Sequence, residues 1–178
     1  MLIGKIGEFG LIERIRKSIK TDSSVFKGSG DDCAVIKFDK DRFLLATCDM
    51  LVEDVDFTKR DSPYLVGRKA MAVSVSDIAA CGGIPRYALV SLGLPKSSSV
   101  ELTDKICKGL IDLADIFKIN IVGGDLSRSE KITLDVSMLG LVEKKYLVLR
   151  DNARVGDMIF VTGGLGGVLA LYAEALFE

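Results

Sequence analysis

Histidine is absent from the 178 residues and proline occurs only three times. Without histidine, the Ser-His and Cys-His nucleophile pairs are excluded. No run of about 18 uncharged apolar residues exists, so no membrane-spanning helix is expected. The apolar stretch at the N-terminus is interrupted by Glu8 and Glu13, unlike a secretory signal. Four cysteines (Cys33, Cys48, Cys81, Cys107) occur without CxxC spacing. Neither structural zinc nor a disulfide framework is indicated, and a cytoplasmic location is the expectation. With 24 basic and 25 acidic residues the formal net charge is −1. The chain therefore lacks the concentrated basic face that nucleic-acid binding requires.

What is present is enough apolar material for a sizeable core: 48% hydrophobic residues and a mean hydropathy of +0.31. Leu11, Ile12, Ile15 and Ile19 recur at helical spacing between charges, predicting a helix over residues 8–20. Strands are predicted at 35–38 and 43–47, joined through Asp39-Lys40-Asp41, with a further extended segment at 50–57. Ser62-Pro63 marks a helix start, and that helix should end at Gly82-Gly83. A strand over 87–94 ends at Pro95. Ser99 then caps a second helix with Leu102, Ile106, Leu110, Leu113 and Phe117 on its inner face. A short buried strand is expected at 119–122, a long one at 132–142, and a last strand and helix at 158–162 and 168–176. The fold class implied is α+β, a mixed or antiparallel sheet with helices on one face. The polar stretch 152–157 is the best boundary, giving a first domain over 1–150 and the start of a truncated second over 151–178.

Four acidic motifs stand at the ends of apolar segments: Gly30-Asp31-Asp32, Thr47-Cys48-Asp49, Ser76-Asp77 and Gly123-Gly124-Asp125. Carboxylates delivered from four element ends suit a pocket holding Mg²⁺ against phosphate, because Mg²⁺ takes oxygen ligands and keeps substrate phosphates in its shell. Gathered without a cation, each pair at ~5 Å would repel by about 3 kcal/mol at an effective dielectric near 20. Each motif alone is also ordinary turn chemistry. Asp77 is the most telling, since it falls in the last turn of a predicted helix, where the macrodipole disfavours an acid by ~0.3–1 kcal/mol. Of the consecutive Asp31 and Asp32, at most one is expected to be a ligand and the other to hold the loop. Thr47 should project to the same face as Asp49. The glycines before Asp125 let backbone approach a phosphate, and Arg128 suits either phosphate contact or plain surface. Gly163-Gly164-Leu165-Gly166-Gly167 lacks the lysine and hydroxyl residue of a P-loop and reads as close strand-helix packing.

In order, these motifs resemble those of the thiamine-monophosphate kinase family, in the superfamily of aminoimidazole ribonucleotide synthetase and selenophosphate synthetase. The matching stretches are Gly7-Glu8-Phe9, Gly30 to Val35, Asp49 to Glu53, Arg68 to Ala80, Gly123 to Arg128, Arg150, and Gly156-Asp157 with Val161-Thr162-Gly163. The resemblance implies ATP as co-substrate and Mg²⁺ held by Asp32, Thr47, Cys48, Asp49, Asp77 and Asp125. It implies nucleotide contacts at Gly124, Asp125 and Arg150, and an adenine-side aromatic at Phe117. Asp56 stands where the family usually has a substrate-contacting histidine. The implied reaction is phosphorylation of thiamine monophosphate to thiamine diphosphate, in a homodimer whose paired sheets form a barrel. This portion alone is expected to be weakly active or inactive. The alternatives are another ATPase of the superfamily, in hydrogenase maturation or purine synthesis, or a non-catalytic nucleotide-binding or dimerisation module.

Overall fold

A computed structural model describes residues 3–161 and 163. Its elements are α1 (Ile3–Arg16), β1 (Val25–Lys27), β2 (Ala34–Lys37), β3 (Arg42–Val52), α2 (Pro63–Ala80), β4 (Ile84–Leu94), α3 (Val100–Phe117), β5 (Asn120–Arg128) and β6 (Thr133–Glu143). Short 3₁₀ turns follow at Lys144–Tyr146 and Arg150–Asn152. The strands form one six-stranded sheet in the order β1-β2-β3-β6-β4-β5. All neighbours are antiparallel except β4 and β5, which α3 connects in parallel. The mixed sheet with α2 and α3 packed together beside it matches the expected α+β class.

Register fixes which side chains share a face. Leu45, Thr47, Asp49 and Leu51 of β3 align with Gly140, Met138, Val136 and Leu134 of β6. The Met138, Val136 and Leu134 side chains are wholly buried, as are Met71 and Ile78 of α2 and Ile106 of α3. This is the helix-covered face. The alternate residues, Ala46, Cys48 and Met50 with Leu139, Ser137 and Asp135, point to the other face. There Met50, Tyr87, Leu89 and Leu139 remain exposed.

Local chemistry accounts for the helices. Ser99 Oγ accepts from Leu102 N at 3.1 Å and caps α3, and Lys118 in the left-handed region ends it. Pro63 opens α2, although Ser62 makes no side-chain cap bond. The two helices meet at backbone distance. A Cβ on Gly67 would overlap the Ile106 carbonyl, and one on Gly109 would overlap that of Tyr64. Gly82, at φ 74°, turns the chain from α2 into β4.

Several expectations need correction. The first helix starts at Ile3, ends at Arg16 and is broken at Gly7 (φ 67°), and Ile12, Ile15 and Ile19 are exposed. Residues 50–57 are not a separate strand: β3 runs through to Val52 and then turns at Asp54, with φ 65°. The segment at 119–122 is not a short buried strand. Only Ile119 is buried, and β5 is nine residues long and exposed throughout at the sheet edge. Strand β1 was not anticipated. Residues 158–161 form no strand, and the expected helix at 168–176 lies outside the described residues.

Candidate active site at the end of the second helix

Three elements deliver acids to one place. Asp49 and Thr47 come from the helix-covered face of β3, Asp77 from the last turn of α2, and Asp32 from the loop before β2. Thr47 Oγ1 donates to Asp77 Oδ2 at 2.6 Å. Ser74 Oγ lies 2.9 Å from Asp49 Oδ2 and 3.0 Å from the Val136 carbonyl, so α2 and β3 are tied together at the site. Arg150 donates to Asp32 Oδ1, and its backbone N–H donates to Asp31 Oδ2 at 3.2 Å. Asp31 Oδ1 also accepts from Asp32 N at 3.0 Å. Asp31 thus orders the loop while Asp32 faces a cation. Lys27 Nζ on Asp151 Oδ2 at 2.7 Å fastens the same turn from its other side.

The electrostatics follow from that crowding. Burial pushes the Asp77 carboxyl above the usual range. The Thr47 hydrogen bond lowers it, Asp49 and Asp32 raise it further, and Arg150 lowers it. The last turn of α2 holds no basic residue to offset the helix end. The hydrogen bond from Arg150 to Asp32, and the charge behind it, keep the guanidinium firmly protonated. Arg150 is therefore the cation that this structure sets against the acids.

The other predicted residues are placed apart. Asp125 lies on β5, where it pairs through Ser91 and Asp135 to Met50. It is therefore on the open face, three strands and about 14 Å across the sheet from β3, and it accepts from Ser127 Oγ at 3.1 Å. Gly124 pairs with Val90 on the helix-side register, and a Cβ there would overlap the Val90 carbonyl. Within one chain, convergence of all four motifs on a single pocket does not occur. The strand order, with β6 and β4 between β3 and β5, is the reason. Cys48 also turns to the open face, where burial, Asp135, Asp49 and Asp77 push its thiol up. A protonated, soft thiol is a poor ligand for a hard cation. Phe117 is not an inner-face residue: it ends α3, 45% exposed. Asp56 Oδ2 accepts from Val52 N at 2.8 Å and closes the turn after β3.

Ser74 was missed. It is fully buried and holds Asp49, and its position three residues before Asp77, on the same helix face, was the available signal. Asp32, Asp49, Asp77 and Thr47 offer hard oxygen donors in mutual repulsion, a donor set that fits Mg²⁺. Among the described residues no three Asp, Glu or Cys side chains are drawn into a closed metal-holding group.

A sheet of this order carrying acids at the end of α2 defines a known class. Residues 30–142 match the family described as AIR synthase related protein, N-terminal domain, and the chain belongs to that family. It is 40% identical over 166 residues to the thiamine-monophosphate kinase of Aquifex aeolicus, covering 93% of this chain and 52% of that protein. It is 38% identical to that of Bacillus subtilis, over 92% of this chain and 51% of the relative. The chain thus spans about half the length of these relatives. A solved structure described as AaThiL complexed with AMPPCP and TMP superposes with a TM-score of 0.86 at 39% identity, over 98% of this chain and 55% of that one. A HypE–HypF complex, at 21% identity and a TM-score of 0.71, shares the fold.

Proposed function

We propose that the whole protein transfers the γ-phosphoryl group of ATP to the phosphate of thiamine monophosphate, giving thiamine diphosphate and ADP. The carrying observation is the Asp32–Asp49–Asp77–Thr47 cluster faced by Arg150, in a chain 40% identical to a thiamine-monophosphate kinase. In this reaction the bond from the γ-phosphorus to the bridging oxygen of ATP breaks. A new bond forms from that phosphorus to an oxygen of the acceptor phosphate, and both partners are anions. Such a transfer needs positioning and charge neutralisation more than a covalent group, consistent with a chain that has no histidine. Asp32, Asp49, Asp77 and the Thr47 hydroxyl would hold Mg²⁺, which neutralises phosphate charge when bound. Ser74 orients Asp49, Thr47 orients Asp77, and Asp31 orders the loop that presents Asp32. Arg150 exchanges its hold on Asp32 for nucleotide phosphate.

The open sheet face and the exposed β5 edge support a homodimer. Met50, Tyr87, Leu89 and Leu139 form an uncovered apolar surface, which soluble chains usually bury against a partner. A second copy on that face is also the arrangement in which the open-face Asp125 finds a use. The deciding experiment incubates the full-length protein with ATP, Mg²⁺ and thiamine monophosphate and measures thiamine diphosphate directly. ATP turnover with another acceptor and none with thiamine monophosphate refutes the assignment.

A further inference from the structure

We propose that a cleft at the opposite end of α2 from the acidic cluster is a second binding site, for a small organic cation with an N–H donor and a compact apolar body. The cleft, about 300 Å³, opens between the first turns of α2 and α3 and the residues that flank β6 and follow β3. Val66 in its wall and Asp77 in the acidic cluster are separated by roughly 16 Å along the helix axis. The proposal is therefore independent of the kinase assignment.

Its floor is apolar: Phe57, Val66, Ile106 and Ile132 line it and are all buried. Into that apolar surface projects one carboxylate, Glu53, only 2% exposed. Glu53 Oε2 accepts the Ile132 N–H at 3.0 Å. Oε1 is buried and accepts no hydrogen bond from the described residues. A buried carboxylate oxygen left without a donor is costly, and folds seldom retain one without a use. Lys59 Nζ stands 3.6 Å from Oε1, outside hydrogen-bond range, on a side chain that is 80% exposed. It screens Oε1 without satisfying it and is free to swing into solvent.

Charge selects the ligand. Asp61 and Glu130 join Glu53 in the lining, against Lys59 as its single basic residue. An apolar pocket with one convergent polar group is the usual form of a small-molecule site. Here the group is an anion with a vacant acceptor, so an alkylammonium, arylammonium or amidinium fits. Such a ligand places its N–H on Oε1 where Lys59 now hovers and lays its hydrocarbon on Phe57 and Ile106.

The test titrates the full-length protein with benzylammonium, and with benzyl alcohol as the neutral analogue, by NMR or calorimetry. Saturable binding of benzylammonium, at least tenfold tighter than the alcohol, is expected, the usual worth of a charge-assisted hydrogen bond. Lys59→Gln, a change at an exposed residue, should tighten it about two- to fivefold. Ser98→Trp, which fills the cleft, should abolish it, and Glu53→Gln should weaken it about tenfold wherever that variant folds. Equal binding of both compounds, no saturable binding, unchanged affinity in Lys59→Gln, or retained binding in Ser98→Trp each overturns the proposal. The last places the cation elsewhere, the acidic cluster included, and leaves the kinase assignment untouched.

Discussion

Replacing Asp77 with asparagine separates a ligand-binding acid from a structural one. Asn keeps an oxygen for the Thr47 hydroxyl, which sits 2.6 Å from Asp77 Oδ2, so the hydrogen bond survives. The charge is what disappears. Removing it from the last turn of α2 gains about 0.3–1 kcal/mol from the macrodipole. Relief of the repulsion from Asp49 and Asp32 adds to that gain. Losing the attraction of Arg150 cancels much of that. The net expectation is about 1 kcal/mol of added stability without ligand at neutral pH, or about 2–4 °C in Tm for a domain of this size. The pH dependence has a definite sign. Burial and like charges raise the folded-state value of Asp77, so the fold binds its proton more tightly than the unfolded chain does. The penalty is absent in acid below the unfolded value and grows as pH rises through the folded one. The gain in Asp77→Asn should therefore appear at neutral pH and vanish near the unfolded carboxylate value. Thermal melts of the full-length protein across pH, with and without Mg²⁺-ATP, measure both arms. The Mg²⁺-ATP-induced shift should fall sharply in the variant. A destabilised variant with the wild-type ligand shift would falsify the assignment of Asp77 to the metal.

Two further outcomes follow from packing. Gly67→Ala drives a methyl group into the Ile106 carbonyl. It should cost about 1–3 kcal/mol as overpacking between α2 and α3, read by urea denaturation, while Gly28→Ala, which meets only one distant side-chain carbon, stays near wild type. Leu139→Lys puts a charge on the open face of the sheet, where Leu139 is 37% exposed. It should turn a dimer into a monomer in sedimentation with little loss of monomer stability, and a wild-type monomer at micromolar concentration removes the dimer from consideration.

The parts of the fold readable in the sequence are those with local causes. Pro63, Ser99 and the Gly82-Gly83 pair punctuate the chain, so α2 and α3 follow from residues near their ends. The parts that were not readable depend on neighbours far away. Ile119, Ile121 and Val122 look like a buried strand, yet β5 is a sheet edge because α3 returns the chain beside β4 and no other described strand pairs beyond it. Three-residue β1 has too short a pattern to register. The same holds at the site. Thr47 and Asp49 alternate onto one face by strand period, and Asp77 betrays itself at the wrong end of a helix. The separation of Asp125 from them is set by strand order alone, which no local motif encodes. Ser74 is half legible: its place one turn before Asp77 marks it, while the Val136 carbonyl that fixes its hydroxyl is supplied by β6.

The strand β3 uses both of its faces along one stretch. Thr47 and Asp49 meet α2, while Ala46, Cys48 and Met50 look out from the sheet. Inserting or deleting a single residue between Phe43 and Thr47 would trade the two sets, sending the acid outward and setting a cysteine (insertion) or a methionine (deletion) against Ser74. No position in this stretch can drift as a neutral spacer. Changes in the chemistry of one side and in the contour of the other are bound to be inherited together.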